Sequence, residues 1–437
     1  MSAAARVADA AAALRAAVVR DAAGLLRLRA AWSELCGEAQ SSCLFLSPEW
    51  LIPWWEHFGG RRELRCIAIF EQDRLIGFLP LFTEQVRMAG VPVRRIAFLG
   101  DGATGCDYLD MLAAPGREAE VRTAALLALG ELRWDVCDLD GLGRDSPTAL
   151  HLAQLFPNGR AVRSPAAGLG GSPAEVVRDA RLRFVCPYIP LVGSYQDYLQ
   201  GLGRRENLRR REKWLFRQPG VSVEVARTPE EARVAVERFL ELHRARWAIE
   251  GGSDGLADAR HEAFHRAAVQ ELAGRGWLRL YTLFAARRPV ASVYGVVHGG
   301  KFLYYQSGYD PAWASKSVGL VLLARTLQDA YGEGLREFDF LRGDEAYKAQ
   351  WARAERWTIH MRLFRARRGK AARAAQKAAL FARESAKAAL PRVALQTARR
   401  ARRLLRAPRQ DVGGQHPMVS PALWGRMEAV LRAVTRE

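Results

Sequence analysis

The 437-residue sequence has little that points to a disulfide framework, a metal centre or a membrane span. Its six cysteines (Cys36, Cys43, Cys66, Cys106, Cys137, Cys186) are scattered and form no C-x-x-C pair. That spacing supports neither a zinc site nor a stapled secreted scaffold. Of the eight histidines, His261 and His265 stand four apart beside Glu262, and no metal ligand set is assigned to them. The longest apolar stretches, such as Pro289–Gly300, are too short to cross a bilayer. The Ala-rich start is interrupted by Asp9, Arg15, Arg20 and Asp21, so it lacks the apolar core of a secretory signal, and a cytoplasmic protein is expected. No G-x-x-x-x-G-K-[ST] or G-x-G-x-x-G run occurs, which leaves nucleotide and dinucleotide binding without support.

What is present is a globular balance, 49% hydrophobic and 26% charged residues. The length allows two or three domains. The net charge of +19 is concentrated: residues 366–410 hold fourteen Lys/Arg against the single acid Glu384. The basic character therefore belongs mainly to a C-terminal appendage.

Periodicity gives the organisation. Residues 1–60 read as helical, with Ser47-Pro48-Glu49 opening the helix that carries Trp50, Trp54 and Trp55. These tryptophans read as core. Strands follow at Leu64–Phe70 and Leu75–Phe82 around a turn, then at Arg94–Leu99 and Tyr108–Leu112. Glu118–Leu132 is helical, Trp134–Leu139 is a strand ending at Asp140-Gly141, and residues 157–175 read as a linker. The second half repeats this order. Strand Val221–Ala226 and helices Pro229–Glu250 and Asp258–Gly274 come first. Strands Leu278–Ala285, Pro289–His298 and Lys301–Gly308, helix Ser317–Gly332, and strands Arg336–Phe340 and Trp357–Phe364 follow. The segments Leu64–Leu75 and Asp138–Asp145 resemble Leu278–Val290 and Phe338–Asp344, which predicts a duplication. The expected class is α/β of the α+β type, with mostly antiparallel sheets and not a doubly wound parallel one.

Three segments carry chemistry. Arg336–Lys348 brings a strand to an edge, turns at Gly343 and crowds charged side chains and Tyr347 around one turn, which suits orienting a polar substrate or moving a proton. An equally good reading makes Asp344 a plain N-cap. Tyr309–Gly319 enters an apolar helix, and its start could take a phosphate at the backbone N–H groups beside Ser315, Lys316 and Ser317. An ordinary cap explains the same residues. Arg204–Trp214 is a basic helix that could bind phosphate or simply be solvated. His243-Arg244-Ala245-Arg246-Trp247 closes another helix and could wall a cleft.

The chain resembles GNAT-superfamily acyltransferases of the FemAB-like type, especially those associated with cellulose and exopolysaccharide biosynthesis. The likeness is carried by Phe45–Trp50, Gly77–Leu81, Asp107–Asp110, Arg204–Lys213 with Arg244–Trp247, and above all Phe338–Lys348, and it covers roughly residues 30–365. It implies two GNAT-like halves and transfer of an acyl group from a thioester, usually acetyl-CoA or another acyl-CoA, to an amine or hydroxyl, without a metal. The element matching the CoA pyrophosphate loop is Ser315, Lys316, Ser317, Val318, Gly319 and Leu320. The fuller Q/R-x-x-G-x-G/A loop is missing, and the FemAB branch takes aminoacyl-tRNA, so the resemblance leaves two donors open.

The expectation is thus tandem GNAT-like halves at 1–175 and 176–365 with a basic helical or partly disordered tail at 366–437. Asp339, Asp344, Glu345 and Tyr347 are the expected catalytic group, with Asp344 or Glu345 as base. Arg342, Lys348, Arg246 and Trp247 are expected to meet a small-molecule or glycan-precursor acceptor. The tail could anchor at an anionic membrane surface, or bind nucleic acid, which electrostatics alone does not separate from lipid; a solvated helix or disordered tail whose Arg content follows base composition is an equally good reading. The rival reading is a non-catalytic scaffold that binds through that tail.

Overall fold

The computed structural model describes residues 11, 13–102, 104–163, 175–203, 205–250, 256 and 258–389. In the first half β1 (Arg15–Val19) precedes α1 (Ala22–Glu38) and α2 (Pro48–Phe58). Next come β2 (Glu63–Leu64), β3 (Cys66–Glu71), β4 (Arg74–Leu79), β5 (Leu81–Met88), β6 (Val91–Phe98) and β7 (Leu112–Ala113). Then follow α3 (Glu118–Glu131), β8 (Val136–Gly143), α4 (Pro147–Leu155) and β9 (Ala161–Arg163). The chain continues through β10 (Glu175–Pro190), α5 (Tyr195–Gln200), α6 (Arg205–Leu215), β11 (Ser222–Ala226), α7 (Pro229–Glu250) and α8 (Ala259–Gly274). Last are β12 (Leu278–Ala285), β13 (Arg288–His298), β14 (Lys301–Tyr309), α9 (Val318–Gly332), β15 (Glu337–Asp339), α10 (Ala346–Trp351), β16 (Ala354–Arg365) and α11 (Ala366–Ala389).

The strands form a small sheet, β1-β3-β4-β7, and a long one in the order β2-β5-β6-β8-β16-β10-β15-β14-β13-β12-β11. Pairing is antiparallel except at β6 with β8 and at β14 with β15. Each parallel pair follows a helical crossover, α3 or α9, so both halves run antiparallel strands, helix, parallel strand. That shared order is the tandem arrangement expected from the sequence. The halves are joined edge to edge, since β16 pairs with β8 on one side and β10 on the other.

Two apolar clusters hold the sheet's faces. Trp32, Trp50, Trp54, Phe78 and Phe82 are fully buried in the first and pack with Phe239 and Phe264 of α7 and α8. In the second, Val318, Val321 and Leu322 of α9 cover Tyr281, Phe302 and Phe338. Each such side chain contributes about 2 kcal/mol by leaving water.

Several elements differ from their sequence reading. Arg15–Val19 is a strand and not helix, because it completes the edge of β3 in register Val18↔Ile67. Tyr108–Leu112 is not a continuous strand: Tyr108 has φ 61°, Leu109 makes an isolated bridge to Leu142, and Leu112 starts the short β7 against Phe78. Ser47 does precede a helix with Pro48 at its first position, but its hydroxyl makes no capping bond. β10 has no counterpart in the sequence reading, since its seam position gives no clean alternation of burial. The tail begins as α11, seated by Ala372 and by Gly369, whose missing Cβ would lie 2.2 Å from the Asp135 carbonyl oxygen. The expectations for residues 390–437 lie outside the described residues. Among the described residues no helix is long and apolar enough to cross a membrane.

Candidate functional site

The parallel contact of β14 with β15 spans only Lys301–Leu303 against Glu337–Asp339. Beyond it the strands part, for two visible reasons. β14 carries a bulge at Tyr305, since Tyr294 faces Gln306 while Gly295 faces Tyr304. The chain leaving β15 turns its hydrogen bonds to β10, with Phe340 N donating to Pro187 O and Gly343 N to Val185 O, both at 3.0 Å. In the first half the opening between β6 and β8 is closed by the chain's own Leu109, whose N–H reaches Gly141 O at 3.0 Å.

The second opening holds a cavity of about 100 Å³. β14 supplies Tyr304, Tyr305, Gln306 and Ser307, α7 supplies Arg246 and Trp247, and the turn into α10 supplies Leu341, Arg342, Glu345, Tyr347 and Lys348. The first half supplies Thr104 and Gly105. α7 can lie this close because Gly308 has no Cβ; one placed there would stand 2.5 Å from the His243 nitrogen and 2.8 Å from its Cα. Arg246 donates to Ser307 Oγ at 3.0 Å and lies over the rings of Trp247 and Tyr309. Tyr305 OH donates to Thr104 O at 2.6 Å. Burial raises the phenols of Tyr304 and Tyr347 above their ordinary value, so both keep their protons at neutral pH.

The turn itself is fixed from behind. Asp107, fully buried, accepts from Arg342 Nε at 2.8 Å and from the Arg342 backbone N–H at 2.9 Å. Lys348 donates to the Arg342 carbonyl at 2.6 Å and pairs with Glu345 at 2.9 Å. Arg342, expected to meet the acceptor, is therefore already committed to protein partners.

A second cavity, of about 430 Å³, is lined by Leu202, Gly203, Asn207, Leu208, Arg211, Ser317, Leu320, Gln350 and Trp351. α10 connects the two, with Tyr347 and Lys348 on the small cavity and Gln350 and Trp351 on the large one. Of the expected cradle, Ser317 and Leu320 line the cavity. Ser317 adopts a left-handed φ of 57° between a 3-10 turn and α9. Gly319 meets nothing nearer than Tyr309 Cδ1 at 3.8 Å from its absent Cβ. Val318 is fully buried in the core and does not line the cavity. Ser315 and Lys316 are exposed, with Lys316 Nζ 4.8 Å above the Trp214 ring.

Two expected catalytic carboxylates stand elsewhere. Asp344 is exposed and outside the lining, and it is Glu345, not Asp344, that occupies the N-cap position of α10. Asp339 is fully buried; it accepts from Tyr108 OH at 2.9 Å and from Leu341 N at 2.7 Å, and borders a different cavity of about 60 Å³ with Tyr108 and Lys301. The residues missed by sequence reading are those of the β14 bulge and the Thr104–Asp107 loop. Gln306-Ser307, polar at the end of an apolar strand, is the available signal for the first. Of the second, only Asp107 falls within a segment that the sequence singles out, Asp107–Asp110, and there without a site role.

His261-Glu262-Ala263-Phe264-His265 does have H-E-x-x-H spacing, to which the sequence reading gives no weight. Its groups are otherwise engaged. His261 Nδ1 meets Asp258 at 2.8 Å, Glu262 pairs with Arg244 and Arg266, and the fully buried His265 ring packs among Trp50, Phe264, Tyr294 and Tyr305. Among the described residues no group of three or more His, Cys, Asp or Glu is placed to hold a metal ion.

Comparison with known proteins bears on this arrangement. Residues 203–349 match the family model described as an acetyltransferase (GNAT) domain. No curated protein matches the sequence. Among solved structures, FemX superposes with a TM-score of 0.51 at 12% identity, covering 76% of this chain and 95% of FemX. The C-terminal domain of a putative lysylphosphatidylglycerol synthetase from Agrobacterium fabrum gives 0.46 at 10% identity, over 77% of this chain and 92% of that one. A tandem GNAT protein from the clavulanic acid biosynthesis pathway gives 0.39 at 14% identity, over 79% and 98%. The likeness to FemX is one of fold.

Proposed function

We propose that this chain, whose residues 203–349 form a domain of the GNAT acetyltransferases within a FemAB-like fold, transfers an acetyl or other short acyl group from acyl-CoA to an amine or hydroxyl of a polysaccharide or envelope precursor. The observation that carries the reading is the pair of cavities that share α10 as a wall, one larger and beside a basic helix, the other small and polar. A long donor with a charged head and a small reactive end matches that shape.

In this reading the head lies in the larger cavity. Arg211 and the Gly319 backbone N–H at the start of α9, beside Ser317, meet its phosphates, since a helix start has a positive dipole end. The acyl end enters the opening between β14 and β15. The acceptor's nucleophile attacks the thioester carbonyl carbon and the C–S bond breaks. Glu345, the only carboxylate lining the small cavity among the described residues, takes the acceptor's proton. Tyr347, held protonated by burial, donates a hydrogen bond to the departing thiolate, which takes its proton from solvent while Glu345 gives up to solvent the one it accepted. Holding both reactants in a cavity this small supplies much of the rate.

The test is thermal. A ligand at a hundred times its Kd stabilises the native state by about 2.7 kcal/mol, so saturating acetyl-CoA should raise Tm by a few degrees. No shift with CoA or acetyl-CoA, together with a shift caused by aminoacyl-tRNA, would replace the donor. No shift with either would leave the non-catalytic scaffold.

A further inference from the structure

We propose that Asp107, in the first half, is a positioning residue for transfer in the second half and acts through Arg342. The inference rests on the acyl-transfer reading above.

The backbone groups of Arg342, its Nε and one terminal nitrogen are all taken up. Asp107 holds its backbone N–H and Nε, and the Cys106 carbonyl accepts from its terminal nitrogen. Lys348 holds its carbonyl, and its guanidinium lies 4.4 Å from the Phe184 ring centre on β10. Arg342 is thus a brace that spans from the first half to the start of α10. The turn it braces does not hold itself. Leu341 has φ 55°, and Gly343 has φ 128°, so a non-glycine residue stands in a left-handed conformation within three positions of a glycine that needs its freedom. Such a turn persists only where its surroundings over-determine it. Glu345, Tyr347 and Lys348 follow it directly and form one wall of the small cavity.

The far end of the brace is itself anchored. Gly141, at φ 81°, lets the Cys106 carbonyl pass where a Cβ would stand 2.9 Å away. Cys106 Sγ accepts from Trp50 Nε1 at 3.1 Å, and Trp50 is fully buried. The Thr104 carbonyl receives the phenol of the bulge residue Tyr305. The loop from Thr104 to Asp107 is therefore a rigid insert that touches both arms of the opening, β14 through Tyr305 and the β15 side through Arg342. In its own half the corresponding opening is closed by Leu109. A carboxylate is required because it alone accepts two N–H groups of one arginine in a fork while carrying the opposite charge. A shift of about 1 Å in the wall it holds is enough to cost on the order of a hundredfold in rate.

The experiment compares the full chain with Asp107→Asn, Arg342→Met and the double variant. Three quantities are read: hydrogen exchange of the backbone amides of 341–348, acetyl-CoA affinity by titration calorimetry, and thiol release from acetyl-CoA with hydroxylamine as surrogate acceptor. Asp107→Asn is expected to speed exchange at 341–348 by at least about tenfold and lower kcat ten- to a hundredfold. Acetyl-CoA affinity should stay within about twofold, because the larger cavity does not touch Asp107. In the Arg342→Met background the same change should cost less than about twofold more. Unchanged exchange overturns the inference, as does faster exchange with unaltered kcat, and independent multiplicative losses overturn the route through Arg342. If the unaltered chain releases no thiol, the donor reading fails, and exchange at 341–348 alone decides whether Asp107 holds the turn. Should Asp107→Asn not fold, Arg342→Lys keeps the charge and the backbone N–H, removes the Nε and guanidinium donors, and is read in the same way.

Discussion

Replacing Asp339 by Asn should change how stability depends on pH. Asp339 sits fully buried where the halves meet, with Tyr108 OH and the Leu341 N–H donating to it and Arg356 at 3.8 Å. Burial dominates: it pushes the carboxyl from 3.8 up to about 6, against the opposing pull of Arg356. The sign follows from proton uptake. Between about pH 4 and pH 6 the native state holds a proton that the unfolded chain has released, so stability falls as pH rises through that window. A carboxyl raised this far contributes about 3 kcal/mol in all, of which about 1 kcal/mol is lost between pH 5 and pH 7. Asparagine keeps the shape and has no proton to lose. Relative to the unaltered chain, Asp339→Asn should therefore gain about 1 kcal/mol on going from pH 5 to pH 7, whatever its offset. Urea midpoints of both proteins at pH 5, 6 and 7 measure this. A difference that stays flat, or that moves the other way because Arg356 holds the carboxylate, would refute the reasoning.

Asp138 should show the opposite sign. Burial disfavours its charge, but His360, Arg95 and Arg362 hold it well below the usual carboxylate range, so its contribution is present above about pH 4 and lost as pH falls; Asp138→Asn should cost about 3 kcal/mol at pH 7 by urea unfolding. Gly308→Ala should cost about 1–3 kcal/mol, because its neighbours are backbone atoms of α7 that cannot step aside, and a loss under about 0.5 kcal/mol would show that α7 yields. Glu345→Gln should lower kcat by about a hundredfold or more while exposed Asp344→Asn stays within about twofold; equal losses would contradict the placement of the base. Gly319→Trp should fold normally, since its Cβ would meet only Tyr309 Cδ1 at an ordinary 3.8 Å, and weaken acetyl-CoA binding at least about tenfold by calorimetry; unchanged affinity would move the donor elsewhere.

The local elements were legible because their signals are local. Alternation places β12, β13 and β14 nearly to the residue, and the Ser-rich entry to an apolar run places α9. Repetition of that order in both halves was enough for the fold class, and the crowding of Glu345, Tyr347 and Lys348 after Gly343 marked a turn whose residues line the small cavity. Arg15–Val19 misled because an edge strand of five residues is decided by its partner and not by its own composition. β10 was invisible because its faces meet two halves of the protein at once.

The sequence by itself determined which segments turn, pair or coil, since those choices depend on residues within a few positions of one another. Only the tertiary structure decided the site. Asp107 and Arg342 are 235 residues apart, and Tyr305 reaches Thr104 across 201. No periodicity encodes which buried carboxylate will face which arginine, or that Asp339 turns away from a cavity that Glu345 enters. Those pairings follow from where β8, β16 and β10 bring the two halves edge to edge, because a buried charge must find its counter-charge in whatever neighbour the packing provides.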